Sequence, residues 1–156
     1  MSSSQILRHA NIFATLEINE LDLISAIGEP ITVNTGDTIF EQGSASDELY
    51  VIVNGEVDIV IDTALLTKMR DKDATVITTL RRGQVFGEMA LLSRGIRAAS
   101  AVCAQHDTTL ILIPRQSLVE ICEHNPLLGY KLMKNVAADL AEKIRISDRF
   151  MHDRMR

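Results

Sequence analysis

Short apolar runs separated by glycine occupy the middle of the chain, from residue 31 to residue 114. The runs are ITV, TIFEQ, LYVIV, EVDIVI, TVITTL, SAVCA and TTLILI. Runs of this length, rich in β-branched residues and bounded by turn residues, are typical of β-strands. Gly36, Gly43, Gly55 and Gly83 lie at junctions between them, where a tight turn often needs a positive φ. The pattern therefore predicts many short strands in a barrel-like or roll-like sheet.

Helical periodicity marks both ends of the chain. Residues 5–27 carry apolar side chains at helical spacing, and Asn19 is placed to cap a helix over ELDLISAI. After Pro114, the segment QSLVEICEHN predicts a helix that ends before Pro126, because a residue that precedes proline disfavours the helical conformation. Pro126 itself suits the first turn of a second, longer helix that runs towards Arg156.

These elements divide a single predicted domain into three parts. Residues 1–30 form an N-terminal helical segment, residues 31–116 form the sheet, and residues 117–156 form the C-terminal helices. The length of 156 residues is in the usual range for one domain with its own core. Residues 62–74, DTALLTKMRDKDA, are charged and too long for a tight hairpin, so we expect a surface excursion there.

Composition excludes several classes of function. The net charge of -5 argues against a general basic field that wraps a nucleic-acid backbone. No run approaches the roughly 20 apolar residues of a membrane span, and the N-terminus lacks a signal-peptide core, so we expect a cytoplasmic protein. Cys103 and Cys122 are expected to be buried thiols. The histidines lack metal-ligand spacing, and no nucleophile and base can be paired, so neither a metal site nor a catalytic site is predicted.

One segment, FGEMALLSRGIRAASA at residues 86–101, carries the candidate chemistry. Gly87 and Glu88 open a short predicted helix, and the N–H groups of Gly87, Glu88 and Ala90 could face an anionic phosphate at its N-terminus. Arg97, nine positions after Glu88, would neutralise that phosphate, while Glu88 would accept a hydrogen bond from a sugar hydroxyl. On these residues alone an alternative stays open, since Glu in a first turn stabilises the helix dipole and a loop Arg is usually solvated.

The same segment resembles the phosphate-binding cassette of cyclic-nucleotide-binding domains, as found in protein kinase A regulatory subunits and catabolite-activator-type regulators. The upstream stretch GDTIFEQGSASDELYVIVNGEVDIV is similar to the glycine-marked early strands of that family, so the resemblance covers nearly the whole chain. It implies a mainly β fold, an eight-stranded, jelly-roll-like β-roll (a double-stranded β-helix) with an N-terminal helical segment and two C-terminal helices. It also implies a regulatory, signal-transduction module that holds cAMP, with cGMP as the other candidate, and that is not an enzyme and needs no cofactor.

The resemblance also assigns roles to residues. Glu88 takes the ribose 2′-hydroxyl and Arg97 takes the exocyclic phosphate oxygens, while Ile96 stands where related cassettes often have proline. The candidate ligand-binding set is Phe86, Gly87, Glu88, Met89, Ala90, Arg97, Ala98, Ala99 and Ser100. In cGMP-selective relatives a threonine often follows the arginine, whereas Ala98 has no side-chain donor or acceptor. We therefore expect cAMP to be preferred.

Two alternatives stay open for the output of such a module. The chain stops at Arg156, where transcriptional relatives continue into a helix-turn-helix domain, so direct DNA binding is not expected. We expect the output to pass through an unidentified protein effector or through self-association. A seam of apolar residues at heptad spacing favours a homodimer through residues 127–156, and packing against the β-roll explains it equally well. The members of this seam are Met133, Ala137, Leu140, Ile144 and Met151, with Ser147 as the weak one.

The final helix also supplies candidates for a lid. Relatives cover the purine with a residue of this helix, and Ile144, Arg145, Arg149 and Phe150 are the residues within reach here.

A different interpretation of the whole chain is an interaction scaffold of the same fold that has lost nucleotide control. An increase in melting temperature with cAMP would distinguish a ligand-binding module from such a scaffold.

Overall fold

Two four-stranded antiparallel sheets form the centre of the computed structural model, which describes residues 2–62, 74–93 and 95–154. The strands are β1 (Glu29–Val33), β2 (Thr38–Phe40), β3 (Glu48–Asn54), β4 (Glu56–Asp62), β5 (Ala74–Arg81), β6 (Val85–Phe86), β7 (Ser100–Cys103) and β8 (Thr108–Pro114). Sheet 1 has the strand order β1-β8-β3-β6, and sheet 2 has the order β2-β7-β4-β5. The predicted eight-stranded fold with flanking helices is confirmed. The excursion predicted at 62–74 lies outside the described residues except at its two ends.

Helices precede and follow the strands. They are α1 (Ser3–Arg8), a 3₁₀ turn at Asn11–Phe13, α2 (Ile18–Ile27), α3 (Arg115–His124) and α4 (Pro126–Arg154). The start of α4 at Pro126 confirms the predicted break between the two C-terminal helices. The predicted cap at Asn19 is wrong, because α2 begins one residue earlier and its N-cap is Glu17. The Glu20 carboxylate accepts a hydrogen bond from the Glu17 N–H at 2.9 Å, as in a capping box.

The central strands β3 and β8 of sheet 1 are buried on both faces, because the helices cover one side and sheet 2 covers the other. In β3, Leu49 and Val51 belong to the core beneath the helices, whereas Tyr50 and Ile52 belong to the core between the sheets. The residues of β8 divide in the same way. Burial on both faces explains why the runs in these two strands are apolar throughout and do not alternate with polar residues.

Polar contacts hold α4 to the N-terminal segment along one face. Lys131 Nζ lies 2.9 Å from the Glu20 carboxylate, Asn135 Nδ2 donates to a carbonyl of the 3₁₀ turn at 2.9 Å, and Asn11 Nδ2 donates to Asp139 at 2.7 Å. Because these α4 residues are four apart, they share one helix face. We call residues 131, 135, 139 and 143 the polar stripe.

The residues of the predicted apolar seam of α4 differ in their burial. Met133 and Leu140 pack against the core beneath the helices, while Ile144 is 60% exposed.

Within the described residues, no helix has the length and apolar character needed to cross a membrane. Cys103 is buried and Cys122 is half-buried, and both are free thiols.

The turn between β3 and β4 has no room for a side chain. All four glycines predicted at turns have a positive φ, and at Gly55 it is +111°. A Cβ on Gly55 would lie 2.2 Å from Thr108 Oγ1. That hydroxyl is fixed, because it donates to the Gln105 carbonyl at 2.7 Å and accepts from the Glu56 N–H at 3.3 Å.

Substitution of this glycine tests the packing of the roll. Gly36→Ala is the matched control, since Gly36 has φ +91° but open space around its Cβ. We expect Gly36→Ala to lower the free energy of unfolding by about 1–2 kcal/mol through backbone strain alone. Gly55→Ala should lower it by about 1–3 kcal/mol more because of steric overlap. Urea titration measures both values, and equal losses would contradict the packing argument.

Candidate ligand-binding site

A cavity of about 340 Å³ lies between sheet 2 and the 3₁₀ turn at Glu88–Leu91. Its volume is in the range of about 300–1,000 Å³ that is typical of small-molecule sites. Among the predicted residues, those that line it are Phe86, Gly87, Glu88, Met89, Arg97, Ala98 and Ala99. The structure thus brings Glu88 and Arg97 to the same cavity.

Ala90 and Ser100 are not among the lining residues. The Ala90 N–H donates to the Gly87 carbonyl at 3.1 Å, so it is engaged within the 3₁₀ turn. The Ser100 hydroxyl accepts from the Gln42 N–H at 2.9 Å and thereby joins β7 to the loop after β2. Both residues have a role within the fold, and their contacts with a ligand stay predictions.

Gly87 provides the space for the guanidinium group. Its φ is +78°, and a Cβ there would lie 2.8 Å from Arg97 Nη1 and 3.0 Å from the Glu48 carbonyl oxygen. Backbone conformation and lack of space therefore both exclude a side chain at this position. The Gly87 carbonyl in turn accepts a long hydrogen bond from Arg97 Nη1 at 3.4 Å.

Arg97 is a buried cation whose close partners are neutral. The residue is only 5% exposed, and its Nη2 donates to the Glu48 carbonyl at 2.6 Å. Within the described ranges no carboxylate forms an ion pair with it, and its Nε has no hydrogen-bond partner. Burial lowers the pKa of Arg97, yet the group stays charged because the ordinary pKa of arginine is above 12.

Backbone hydrogen bonds fix the loop that carries this cation. The Arg97 N–H donates to the Ser44 carbonyl at 2.7 Å, and the Arg97 carbonyl accepts from the Gly43 N–H at 2.8 Å. Ile96, at the position where related cassettes often have proline, is 74% exposed and forms a β-bridge with Ala45. These contacts hold the backbone on both sides of Arg97 without a proline.

Glu88 forms an ion pair that the sequence analysis did not predict. The residue is 4% exposed, and its carboxylate is bonded to Lys143 Nζ of α4. Lys143 Nζ also lies 3.0 Å from the Asp139 carboxylate, one helical turn earlier. Burial alone lowers the pKa of Lys143, but the charges of Glu88 and Asp139 outweigh burial and raise it. The carboxylate predicted to hold a sugar hydroxyl is thus bound to the C-terminal helix.

The lid candidates can be compared with Lys143, which lines the cavity. Ile144 and Arg145 do not line it, and the Arg145 guanidinium pairs with Glu142 at 2.9 Å. Arg149 and Phe150 are outside the described side chains, so a lid made by either of them stays a prediction. The four-residue spacing of the polar stripe is the signal that could have identified Lys143. This spacing places Lys143 on the face of α4 that contacts the N-terminal segment.

Part of the cavity wall comes from β2, β4 and β5, which sequence reasoning did not assign to the site. Phe40, Ile59 and Leu80 give it an apolar surface, and Thr78 adds one hydroxyl. The Phe40 ring centroid lies 5.9 Å from that of Phe86. A cavity with an apolar wall, a buried cation and a carboxylate suits a flat, partly apolar ligand that carries an anion and hydroxyl groups.

Known proteins share this sequence and architecture. Residues 30–125 match the family model of the cyclic nucleotide-binding domain. The chain is 31% identical over 137 residues to the Cyclic AMP receptor protein of Thermus thermophilus, which covers 88% of this chain and 58% of that protein. The matched part of this chain therefore spans less than two thirds of the length of that relative.

Solved structures of this family resemble the chain as well. The catabolite activator protein of Thermus thermophilus superposes with a TM-score of 0.74 at 29% identity, over 92% of this chain and 62% of the other. A cyclic nucleotide-binding domain from Methylobacillus flagellatus KT gives a TM-score of 0.80 at 22% identity, over 97% and 82%, and shares the fold. The motif, the eight-stranded fold and the family match together show that the chain belongs to the cyclic nucleotide-binding domain family.

Proposed function

We propose that the chain binds cAMP in this cavity, with the cyclic phosphate at Arg97. The observation that carries the proposal is the buried Arg97 guanidinium, which has neutral partners and an Nε without a hydrogen-bond partner in the described part of the chain. A buried charge without a counter-charge is costly. A phosphate offsets that cost through charge-assisted hydrogen bonds. The Thermus relative is a cyclic AMP receptor protein by name, which supports cAMP as the ligand.

Glu88 is the proposed partner of the ribose 2′-hydroxyl. Its carboxylate has two oxygens with several acceptor positions, and the contact to Lys143 uses Oε1. The carboxylate can therefore accept a hydroxyl hydrogen while it keeps its ion pair. Lys143 also offsets the negative charge of Glu88, which would otherwise repel a phosphate in the same cavity.

We further propose that cAMP is preferred over cGMP. Ala98 is exposed, lines the cavity and has no polar side-chain atom, so it leaves a guanine amino group unmatched. The apolar surface of Ile59 and Leu80 suits a purine ring. Thr78 supplies the hydroxyl on that wall and is the alternative determinant of base preference.

The proposed output is a change in α4 that a protein effector or a second copy of the chain detects. Lys143 supports this proposal, because it connects α4 to the carboxylate that is expected to hold the ligand. A homodimer through residues 127–156 would use the exposed part of the helix that includes Ile144. In this proposal the module is regulatory and not catalytic, and a cytoplasmic location and the lack of direct DNA binding stay predictions.

Removal of the cation tests the phosphate assignment. We expect Arg97→Ala to weaken cAMP binding about ten- to a hundredfold, because a hydrogen bond to a charged group is worth about 1.5–3 kcal/mol and 1.4 kcal/mol is tenfold in affinity. Calorimetric titration gives the dissociation constants. The control is Arg81→Ala, which removes the same charge from an exposed pair with Glu56 outside the cavity and should bind as the wild type does.

An unchanged dissociation constant in a folded Arg97→Ala protein would contradict the phosphate assignment. Thermal unfolding of the wild type with and without cAMP completes the test, since a ligand that binds the native state raises its melting temperature. If cAMP left the wild-type melting temperature unchanged, the nucleotide-independent scaffold would be the better interpretation.

Base preference can be tested at Ala98 with a pair of nearly isosteric variants. Ala98→Thr is expected to reduce the ratio of cAMP to cGMP affinity about three- to tenfold, because one new hydrogen bond to guanine contributes about 0.5–1.5 kcal/mol. Ala98→Val adds the same bulk without the hydroxyl and should not favour cGMP. Competition titrations measure both ratios. If the Thr and Val variants had equal ratios, base preference would depend on another residue, and Thr78→Val would be the next substitution.

Coupling to α4 can be tested by hydrogen exchange. Because Lys143 lines the cavity, cAMP should slow amide exchange of residues 139–146 by about threefold or more in the wild type. Lys143→Met removes the contact with Glu88, and we expect most of this ligand-induced slowing to be lost. Arg145→Met is the control, because it removes a charge from an exposed pair on the same helix. Exchange in α4 that is the same with and without cAMP would contradict the proposed output.

A further inference from the structure

The buried cation of the site lies on an aromatic ring. The Cζ atom of Arg97 is 4.0 Å from the centroid of the Phe40 ring, well inside the limit of about 6 Å for a cation–π interaction. Such contacts are strongest where water is excluded. Phe40 also lines the cavity, so the ring and the guanidinium group meet at its surface.

An irregularity in the sheet directs the Phe40 side chain. β2 pairs with β7 through Thr38 and Val102 and then through Phe40 and Ala101, so β2 has one residue more than its partner between these pairs. As a result, two consecutive residues, Ile39 and Phe40, both pack against the core between the sheets. A bulge of this kind turns a side chain away from the regular alternation and is frequent beside functional sites.

Two further rings support Phe40 from the core. Its centroid lies 5.9 Å from those of Tyr50 and Phe86, and these two rings stack on each other at 5.1 Å. Tyr50 and Phe86 are each 2% exposed. The Phe40 ring therefore rests on a buried, closely packed pair of rings.

We propose that Phe40 is a positioning residue for Arg97, an inference that rests on the proposed binding of a cyclic nucleotide. A carboxylate at this place would stabilise the guanidinium but would also neutralise it and compete with the phosphate. An aromatic face stabilises the cation electrostatically and leaves its charge uncompensated. The ring has no lone-pair acceptor, so it leaves the N–H donors of the guanidinium available, including Nε, which has no hydrogen-bond partner in the described residues.

The test uses the two cAMP diastereomers in which sulfur replaces one or the other exocyclic phosphate oxygen. A fixed guanidinium distinguishes these oxygens, whereas a mobile one does not. We expect Phe40→Leu to weaken cAMP binding about tenfold and to move the ratio of diastereomer affinities towards one. Phe40→Tyr keeps the aromatic face and should restore both the affinity and the ratio. In an Arg97→Ala background, Phe40→Leu should have no further effect on affinity.

Ile59→Val is the matched control, because it trims the same cavity wall at an aliphatic residue that has no aromatic face for Arg97. It should keep the wild-type diastereomer ratio even if the affinity falls. If Phe40→Leu does not fold, Phe40→Met is used instead, since its unbranched side chain fills irregular space. Wild-type affinity and ratio in a folded Phe40→Leu or Phe40→Met protein would overturn the inference alone. A wild type that binds no cyclic nucleotide would overturn the proposed function, and the inference with it.

Discussion

The site depends on one constraint, a buried positive charge that forms no ion pair with a carboxylate in the described part of the chain. Several separate features of the chain serve this group. Gly87 leaves room for it, the backbone of the loop after β2 fixes its main chain, and Phe40 lies against its face. Each feature stabilises the cation and none neutralises it. The proposed phosphate monoanion would suit this arrangement, because it would supply an ion-pair partner and several hydrogen-bond acceptors.

The second charge of the motif has the opposite arrangement. Glu88 has a counter-ion in Lys143, and that lysine belongs to another part of the chain. Because Lys143 is also paired with Asp139, it offsets the charge of Glu88 only in part. In the proposed complex, an anionic ligand would meet a cation without an ion pair in the described part of the chain and a carboxylate whose repulsion Lys143 reduces. This division of roles between two charged residues makes recognition of a phosphate and of a hydroxyl compatible in a small volume.

The sequence predicted much of the fold and only part of the site. Apolar runs and turn glycines marked seven strands, but β6 has two residues and too little pattern to detect. The motif identified Glu88 and Arg97 because their residue types and spacing are local in sequence. Phe40 and Lys143 were missed, since they reach the cavity only through sheet pairing and helix packing. Asn19 was chosen as a cap by residue type, whereas the pair of glutamates at 17 and 20 decided where α2 begins.

The polar stripe of α4 has a consequence for the energy landscape of the molecule. Contacts such as Lys131 with Glu20 and Asn11 with Asp139 join partly exposed groups that water can also satisfy. Pairs of this kind contribute about 0–1 kcal/mol each, so their exchange for water changes the free energy little. The first half of α4 is nevertheless anchored, because Leu128, Leu132 and Val136 are buried in the core beneath the helices. The described side chains at positions 142–146 are exposed, so a modest difference in ligand affinity between two arrangements of this end of the helix would shift their populations.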